Sequence, residues 1–157
     1  MKTIISFATI LLLIIIQSSI FRHLEICNVY PNLILILVLA LSVSRNWKNN
    51  WIWIIFGGFM LDVFSFNNPL GISIFGLFLI SYLANFFSHN IFKKTNVFFI
   101  ILIGIGGTLI YRIVLVLTFL ILGTVFKLSL IQITFQLVYN VIILVPTFYL
   151  IKKLWKT

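Results

Sequence analysis

Residues 57–71 read GGFMLDVFSFNNPLG and set one carboxylate, Asp62, inside an apolar segment of the chain. The only other acidic residue among the 157 is Glu25. An ionised side chain within a bilayer costs about 2.5–3.5 kcal/mol on insertion scales, so it usually turns to the protein interior or finds a partner. The segment therefore raises two questions: whether it crosses a membrane, and what Asp62 contacts there.

The composition of the chain answers the first question. Hydrophobic residues make up 62% of the sequence and charged residues only 8%, whereas soluble domains carry about 25% charged residues. A soluble globule would lack the polar surface to cover so much apolar material. Long continuous apolar runs favour helices, because a membrane barrel would show alternating polar and apolar residues. The sequence predicts an all-α polytopic membrane protein.

Six apolar segments approach the length of about twenty residues that a membrane-spanning helix needs. We predict one domain over residues 1–157, a bundle of six transmembrane helices. The spans are 3–21, 31–44, 51–66, 70–88, 97–122 and 129–151. The second and third are short and need local membrane thinning or longer ends. A re-entrant hairpin is the alternative for this pair, but it would bring Arg45 and Lys48 to membrane depth at high cost.

The connections between the spans differ in charge, and Lys and Arg concentrate on the cytoplasmic side of membrane proteins. One side of the predicted bundle has only Arg22 and Lys127. The other side has Lys2, Arg45, Lys48, Lys93, Lys94, Lys152, Lys153 and Lys156. Both termini are therefore predicted to be cytoplasmic. A cleavable signal peptide is the alternative for the first span, although its cleavage site near Ser18 fits poorly.

The basic residues do not indicate nucleic acid binding, despite a pI of about 10.1. They stand singly or in pairs at the ends of apolar runs, where such residues anchor topology and contact anionic lipids. Two acids, two histidines and the single Cys27 are spread along the chain. No acid–base pair, activated nucleophile or metal-ligand cluster follows from this pattern. We predict no enzyme, no cofactor and no metal.

Small and polar residues follow one face of each of the last four spans, at steps of three or four in the third and fifth, more loosely in the fourth, and along one stripe in the sixth. Small residues allow helices to approach closely, and amide side chains hydrogen-bond across the contact. We predict that these faces turn inward and pack together, with a small polar cavity as the alternative. The positions are Gly58, Asp62 and Ser65, then Ser73, Ser81, Asn85 and Ser88, then Gly104, Thr108 and Arg112, then Gln132, Gln136, Tyr139, Asn140 and Thr147.

Asp62 and Arg112 are predicted to pair, directly or through Tyr111. Both lie in the outer half of their spans, about one helical turn apart in depth, and each needs a partner or an interior position. Such a pair would connect the third span to the fifth. The alternative is that Asp62 reaches the outer interface and contacts water.

A tight outer turn is predicted after the third span. Pro69 disfavours helix in the residue before it, and Gly71 can adopt backbone angles closed to other residues. We expect Asn68 to cap the fourth span, with Pro69 at its first position. The result is a rigid outer hairpin.

The pattern of PNLILILVLAL from Pro31, a basic turn, and then the Gly, Asp and Pro-Leu-Gly spacing of residues 57–71 resembles the bacterial rod shape-determining protein MreD family. The specific part covers about residues 31–88. The resemblance implies a non-catalytic inner-membrane subunit of the cell-elongation complex, which directs lateral peptidoglycan synthesis. The implied partners are a MreC-like periplasmic coiled-coil protein, MreB, RodA, a penicillin-binding transpeptidase and membrane lipids.

The resemblance also implies structural or partner-facing roles. Asp62, Pro69, Leu70 and Gly71 match the family motif and are expected to build a fixed outer edge for a partner. Pro31 opens the second span. Arg112 is a candidate on the physical argument alone and not through the resemblance.

The family is similar in fold to the substrate-binding subunits of energy-coupling-factor transporters, and a vitamin-binding subunit of that kind is the alternative function. Those subunits dock their partner through small alanines on the first span, but here Ala8 is followed by Leu12 and Ile16. A lipid-handling or channel-like protein is a third interpretation, supported only by the polar faces.

Overall fold

The computed structural model describes residues 2–23, 29–44, 50–65, 69–91, 96–123 and 129–154. Six α-helices lie in these ranges, and they confirm the predicted all-helical class. They are α1 (Lys2–His23), α2 (Leu33–Ser44), α3 (Trp51–Phe64), α4 (Ile72–Phe86), α5 (Val97–Ile121) and α6 (Leu130–Leu154). A π-helical turn, Phe87–Ile91, continues α4. Each helix falls in one of the six predicted segments, with ends that differ by at most three residues.

Three helices in the described ranges are long and apolar enough to cross a membrane. They are Ile72–Asn90, which includes the π-helical turn, Val97–Ile121 and Leu130–Lys153. The other three apolar helices are shorter, at Ser6–Ser19, Leu33–Ser44 and Trp51–Phe64. Length and apolar composition therefore support a membrane protein.

The short helix α2 is the centre of the bundle. It contacts all five other helices, and ten of its twelve residues are buried. A helix that is enclosed on every side needs no polar face, which explains why its sequence, LILILVLALSVS, is apolar all round. Helix α2 therefore lies inside the protein and does not face lipid, which is compatible with its short length.

The other five helices surround α2 in the order α1, α3, α4, α5 and α6, each in contact with the next. Their inner faces form one hydrophobic core with α2, to which Ile10, Ile54, Leu77, Ile100, Leu144 and Phe148 belong. Their outer faces carry many exposed large apolar side chains. An apolar outer surface of this extent suits lipid and would be unfavourable in water.

Glycines on the predicted inward faces allow the closest helix contacts. A Cβ added at Gly58 in α3 would lie 2.7 Å from the backbone N and Cα of Ile74 in α4. A Cβ added at Gly104 in α5 would lie 2.8 Å from the Cδ2 of Leu144 in α6. The two contacts confirm the prediction that these small residues let neighbouring helices approach.

Gly58→Ala is expected to destabilise the bundle by about 1–3 kcal/mol, because the added methyl group meets the backbone of α4 and forces a shift. Gly106→Ala is the matched control, since a Cβ at that helical position meets nothing within 4 Å. The measurement is the midpoint of thermal denaturation of both purified variants in one detergent. Equal midpoints for the two variants would contradict the close contact between α3 and α4.

Candidate functional site

The N-terminus of α2 lies inside the protein, and side chains take up its free N–H groups. The first N–H groups of any helix lack partners within that helix. The N–H of Asn32 donates to Oδ1 of Asn140 at 3.0 Å, and the N–H of Leu33 donates to Oε1 of Gln17 at 2.9 Å. Asn32 also caps its own helix, because its Oδ1 accepts from the N–H of Leu35 at 3.0 Å. Residues of α1 and α6 thus complete the start of α2.

Asn140 connects this end of α2 to α5 as well. Its Nδ2 donates to Oγ1 of Thr108 at 3.1 Å, and that hydroxyl donates to the carbonyl of Gly104 at 2.8 Å. Asn140 and Thr108 are both completely buried. The predicted inward faces of the fifth and sixth spans therefore meet, and their polar groups hydrogen-bond to each other.

The C-terminus of α2 is completed by α4 in the same way. The last carbonyl groups of a helix also lack partners within it. Nδ2 of Asn85 donates to the carbonyl of Ser42 at 3.1 Å, and the hydroxyl of Ser88 donates to the carbonyl of Val43 at 3.3 Å. The Ser42 hydroxyl lies 2.7 Å from that of Ser81. Since Ser88 stands in the π-helical turn, this continuation of α4 supplies one of the caps.

Asp62 caps the N-terminus of α4. Its Oδ2 accepts from the N–H of Gly71 at 2.7 Å, and its two oxygens accept from the N–H of Ser73 at 3.2 and 3.3 Å. The carboxylate is buried, with 3% of the residue exposed. The positive end of a helix dipole stabilises a negative charge at this position. A lone acid in an apolar segment is therefore satisfied by the backbone of the next helix.

The direct ion pair predicted between Asp62 and Arg112 is not formed between these two described residues. The carboxylate is engaged by α4, and Nε of Arg112 donates to Oε1 of Gln136 in α6. Tyr111 connects α5 to the carboxylate only indirectly. Its hydroxyl lies 2.8 Å from that of Ser73, and the N–H of Ser73 donates to Asp62. Asp62 therefore ties α3 chiefly to α4, and Arg112 ties α5 to α6.

The turn into α4 differs in detail from the predicted one. Gly71 is the residue before the helix and has a φ of 99°, a value that glycine adopts most easily, and α4 begins at Ile72. Pro69 lies three residues before that start and not at the first helical position, while the expected cap, Asn68, lies outside the described residues. Leu70 is 69% exposed. The turn therefore presents an apolar side chain from a backbone held by Asp62.

Pro31, predicted to open the second span, is buried and directly precedes the capping Asn32. It fixes the approach of the chain to α2 and is not on the surface. Cys27, Glu25 and most of the Lys and Arg residues counted for topology lie outside the described ranges. Within those ranges, no three His, Cys, Asp or Glu side chains come together.

A polar cavity of about 210 Å³ lies beside the N-terminal end of α2. Helices α1, α3, α5 and α6 and the segment before α2 contribute to its lining. Its polar wall includes Gln17, Tyr30, Ser65, Tyr111, Arg112 and Gln136. Tyr30, in this lining, is 36% exposed. A second cavity, of about 100 Å³ between α2, α4 and α5, has an almost entirely apolar lining.

Asp62→Ala is expected to destabilise the protein by about 1–3 kcal/mol, because the buried N–H of Ser73 and the partly buried N–H of Gly71 lose their acceptor. Asp62→Asn should destabilise the protein less, since an amide oxygen still accepts a hydrogen bond.

The double exchange of Asp62→Arg with Arg112→Asp should be no more stable than Asp62→Arg alone, because the two side chains do not pair. The measurement is the midpoint of thermal denaturation of the four variants and the wild type in one detergent. Recovery of the wild-type midpoint by the double exchange would establish an ion pair and contradict the capping role.

Comparison with protein families matches residues 1–157 to the family described as rod shape-determining protein MreD. No curated protein and no solved structure matches the chain. The expected likeness to the subunits of energy-coupling-factor transporters thus gains no support. The family match covers the motif at residues 57–71, both capped ends of α2 and the polar cavity. The chain therefore belongs to the MreD family of rod shape-determining proteins.

Proposed function

We propose that the chain is a non-catalytic membrane subunit of the bacterial cell-elongation complex. In this role it binds a MreC-like periplasmic coiled-coil protein and supports lateral peptidoglycan synthesis together with MreB, RodA and a penicillin-binding transpeptidase. The observation that carries the proposal is the family match over the whole chain. The protein acts by holding partners in place at the inner membrane.

All six helices cross the inner membrane in this proposal, with both termini in the cytoplasm. The excess of Lys and Arg on one side supports this orientation. Contacts along α5 and α6 support an antiparallel arrangement of successive helices. Thr108 contacts Asn140, and one turn later in α5 Arg112 contacts Gln136, which lies one turn earlier in α6. Residue numbers thus rise along α5 as they fall along α6, so these two helices run in opposite directions.

The short central helix is compatible with a membrane position. Twelve residues of α-helix span about 18 Å, against about 30 Å of hydrocarbon. Helix ends that stop short of the interface are tolerated where they are buried in protein and hydrogen-bonded there. The caps on both ends of α2 meet this requirement.

Reporter fusions test the orientation. A phosphatase that is active only outside the cytoplasm should be active when fused after Gly123, which follows α5, and inactive when fused after Thr157. A reporter that is active only in the cytoplasm should give the opposite pattern. Phosphatase activity at Thr157 would contradict an even number of crossings from a cytoplasmic start.

The turn at residues 69–71 is the proposed contact for the periplasmic partner. In the proposed orientation it lies at the outer end of the bundle. Asp62 holds its backbone, and Leu70 projects from it with most of its surface exposed. A side chain presented by a rigid turn loses little conformational entropy on binding, and burying a leucine contributes about 1.5–3 kcal/mol. The motif thus supplies an apolar anchor of fixed position.

Leu70→Ser is expected to weaken co-purification of the MreC-like protein by about tenfold, which corresponds to about 1.4 kcal/mol of binding free energy. Rod-shaped cells in which this variant replaces the wild-type protein are expected to become round. Leu130→Ser is the matched control, because Leu130 is 82% exposed and lies at the start of α6, at the same end of the bundle in the proposed orientation. Immunoblots of membranes establish equal protein levels. Normal cell shape and full co-purification with Leu70→Ser would rule out this turn as the contact.

A further inference from the structure

Arg112 is the one charged side chain among the described residues of the polar cavity lining. A guanidinium carries five N–H donors in a planar fork. Of these, Nε–H donates to Gln136 within the described part of the chain. The carboxylate of Asp62 is engaged by the backbone of α4. The two terminal nitrogens of Arg112 thus bring a positive charge and four donors for which the described residues provide no acceptor.

The neighbouring amides add donors to the same cavity. Gln17 uses its carbonyl oxygen to accept from the N–H of Leu33, and Gln136 uses its own to accept from Arg112. Each amide is left with an NH₂ group, which only donates. A wall that combines a cation with spare donors and no described carboxylate is suited to an anion.

The dimensions of the cavity favour a single charged group. About 210 Å³ equals the share of about seven water molecules at 30 Å³ each, and it is below the roughly 300 Å³ at which sites for drug-sized ligands begin. A smaller recess shares part of this lining and extends between α1 and α3, past Ile14 and Phe64. A headgroup can therefore reach Arg112 while its acyl chains stay outside the protein.

We propose that this cavity binds an anionic phosphate group, held by the fork of Arg112 with Gln17 and Gln136 as further donors. Phosphate has several acceptor oxygens in a geometry that matches a guanidinium, and such charge-assisted pairs are the stronger hydrogen bonds. The group belongs either to a lipid headgroup or to inorganic phosphate, which share this chemistry. The site goes beyond the proposed role in cell elongation and does not depend on it.

The test uses the full chain, purified in detergent and stripped of lipid, with three separate probes. These are dioleoylphosphatidylglycerol, zwitterionic dioleoylphosphatidylcholine and inorganic phosphate. Native mass spectrometry counts bound lipid, and titrated shifts of the thermal midpoint give dissociation constants. Preference for phosphatidylglycerol over phosphatidylcholine without phosphate binding identifies a headgroup as the ligand. Phosphate binding without that preference identifies the free ion.

Arg112→Gln is expected to raise the dissociation constant at least tenfold, and Arg112→Lys to fall between this variant and the wild type because it keeps the charge but not the fork. Lys153→Gln is the matched control, since it removes one positive charge from an exposed position in the last turn of α6. It should leave phosphate binding unchanged and reduce phosphatidylglycerol binding less than Arg112→Gln does, because a basic residue at a helix end contacts anionic lipids only from the surface. Ser65→Glu provides a second test should Arg112→Gln fail to fold. It adds a carboxylate to the lining and should displace the ligand while Arg112 is intact.

Glu25, the other acidic residue of the sequence, lies outside the described residues. Glu25→Gln should leave phosphate binding unchanged. The proposal is overturned if the wild type binds none of the probes, if phosphatidylglycerol and phosphatidylcholine bind alike without phosphate binding, or if Arg112→Gln binds as well as the wild type. Equal losses in Arg112→Gln and Lys153→Gln, or binding that appears only in Glu25→Gln, would overturn it as well.

Discussion

The enclosure of α2 by five other helices is the constraint on which the rest of the structure depends. Because this helix is short, both of its ends lie inside the bundle, where each N–H or C=O group without a partner would cost about 1–3 kcal/mol. Gln17 and Asn140 satisfy one end, and Asn85 and Ser88 satisfy the other. One polar residue of α1, one of α6 and two from α4 and its π-helical continuation therefore serve a single requirement of the central helix.

The same requirement explains the unusual acid. The N–H groups of Gly71, just before α4, and of Ser73, in its first turn, also need an acceptor, and Asp62 supplies it. The carboxylate, the positive φ of Gly71 and the exposed Leu70 are consequences of one local arrangement. Completing helix ends with side chains also gathers polar residues at the N-terminal end of α2, and the cavity lies among them. The outer turn and the cavity thus have a common structural origin.

The sequence predicted the helices well, because the length of an apolar run and its polar borders determine where a helix can lie. Helix α5 was expected at 97–122 and is found at Val97–Ile121. The spacing of polar and small residues also predicted correctly that Gly58 and Asn140 face the interior. The central place of α2 was not predicted, although a helix that is apolar all round is typically buried on all sides. The partner of Asp62 was not predicted, because nearly every residue has a backbone N–H and the residue types therefore do not show which N–H group a side chain will contact. Gln17 was missed for the same reason.

The caps determine position more than they add stability. Hydrogen bonds between helices in a membrane contribute about 0.6 kcal/mol on average, whereas a buried polar group without a partner costs about 1–3 kcal/mol. Sliding α2 by one helical turn, about 5.4 Å, would break the caps at both ends at once. The penalty for those broken contacts holds α2 at one depth relative to α1, α4 and α6. Because the cavity wall and the start of α4 are built on these same helices, the axial position of α2 fixes the geometry of both.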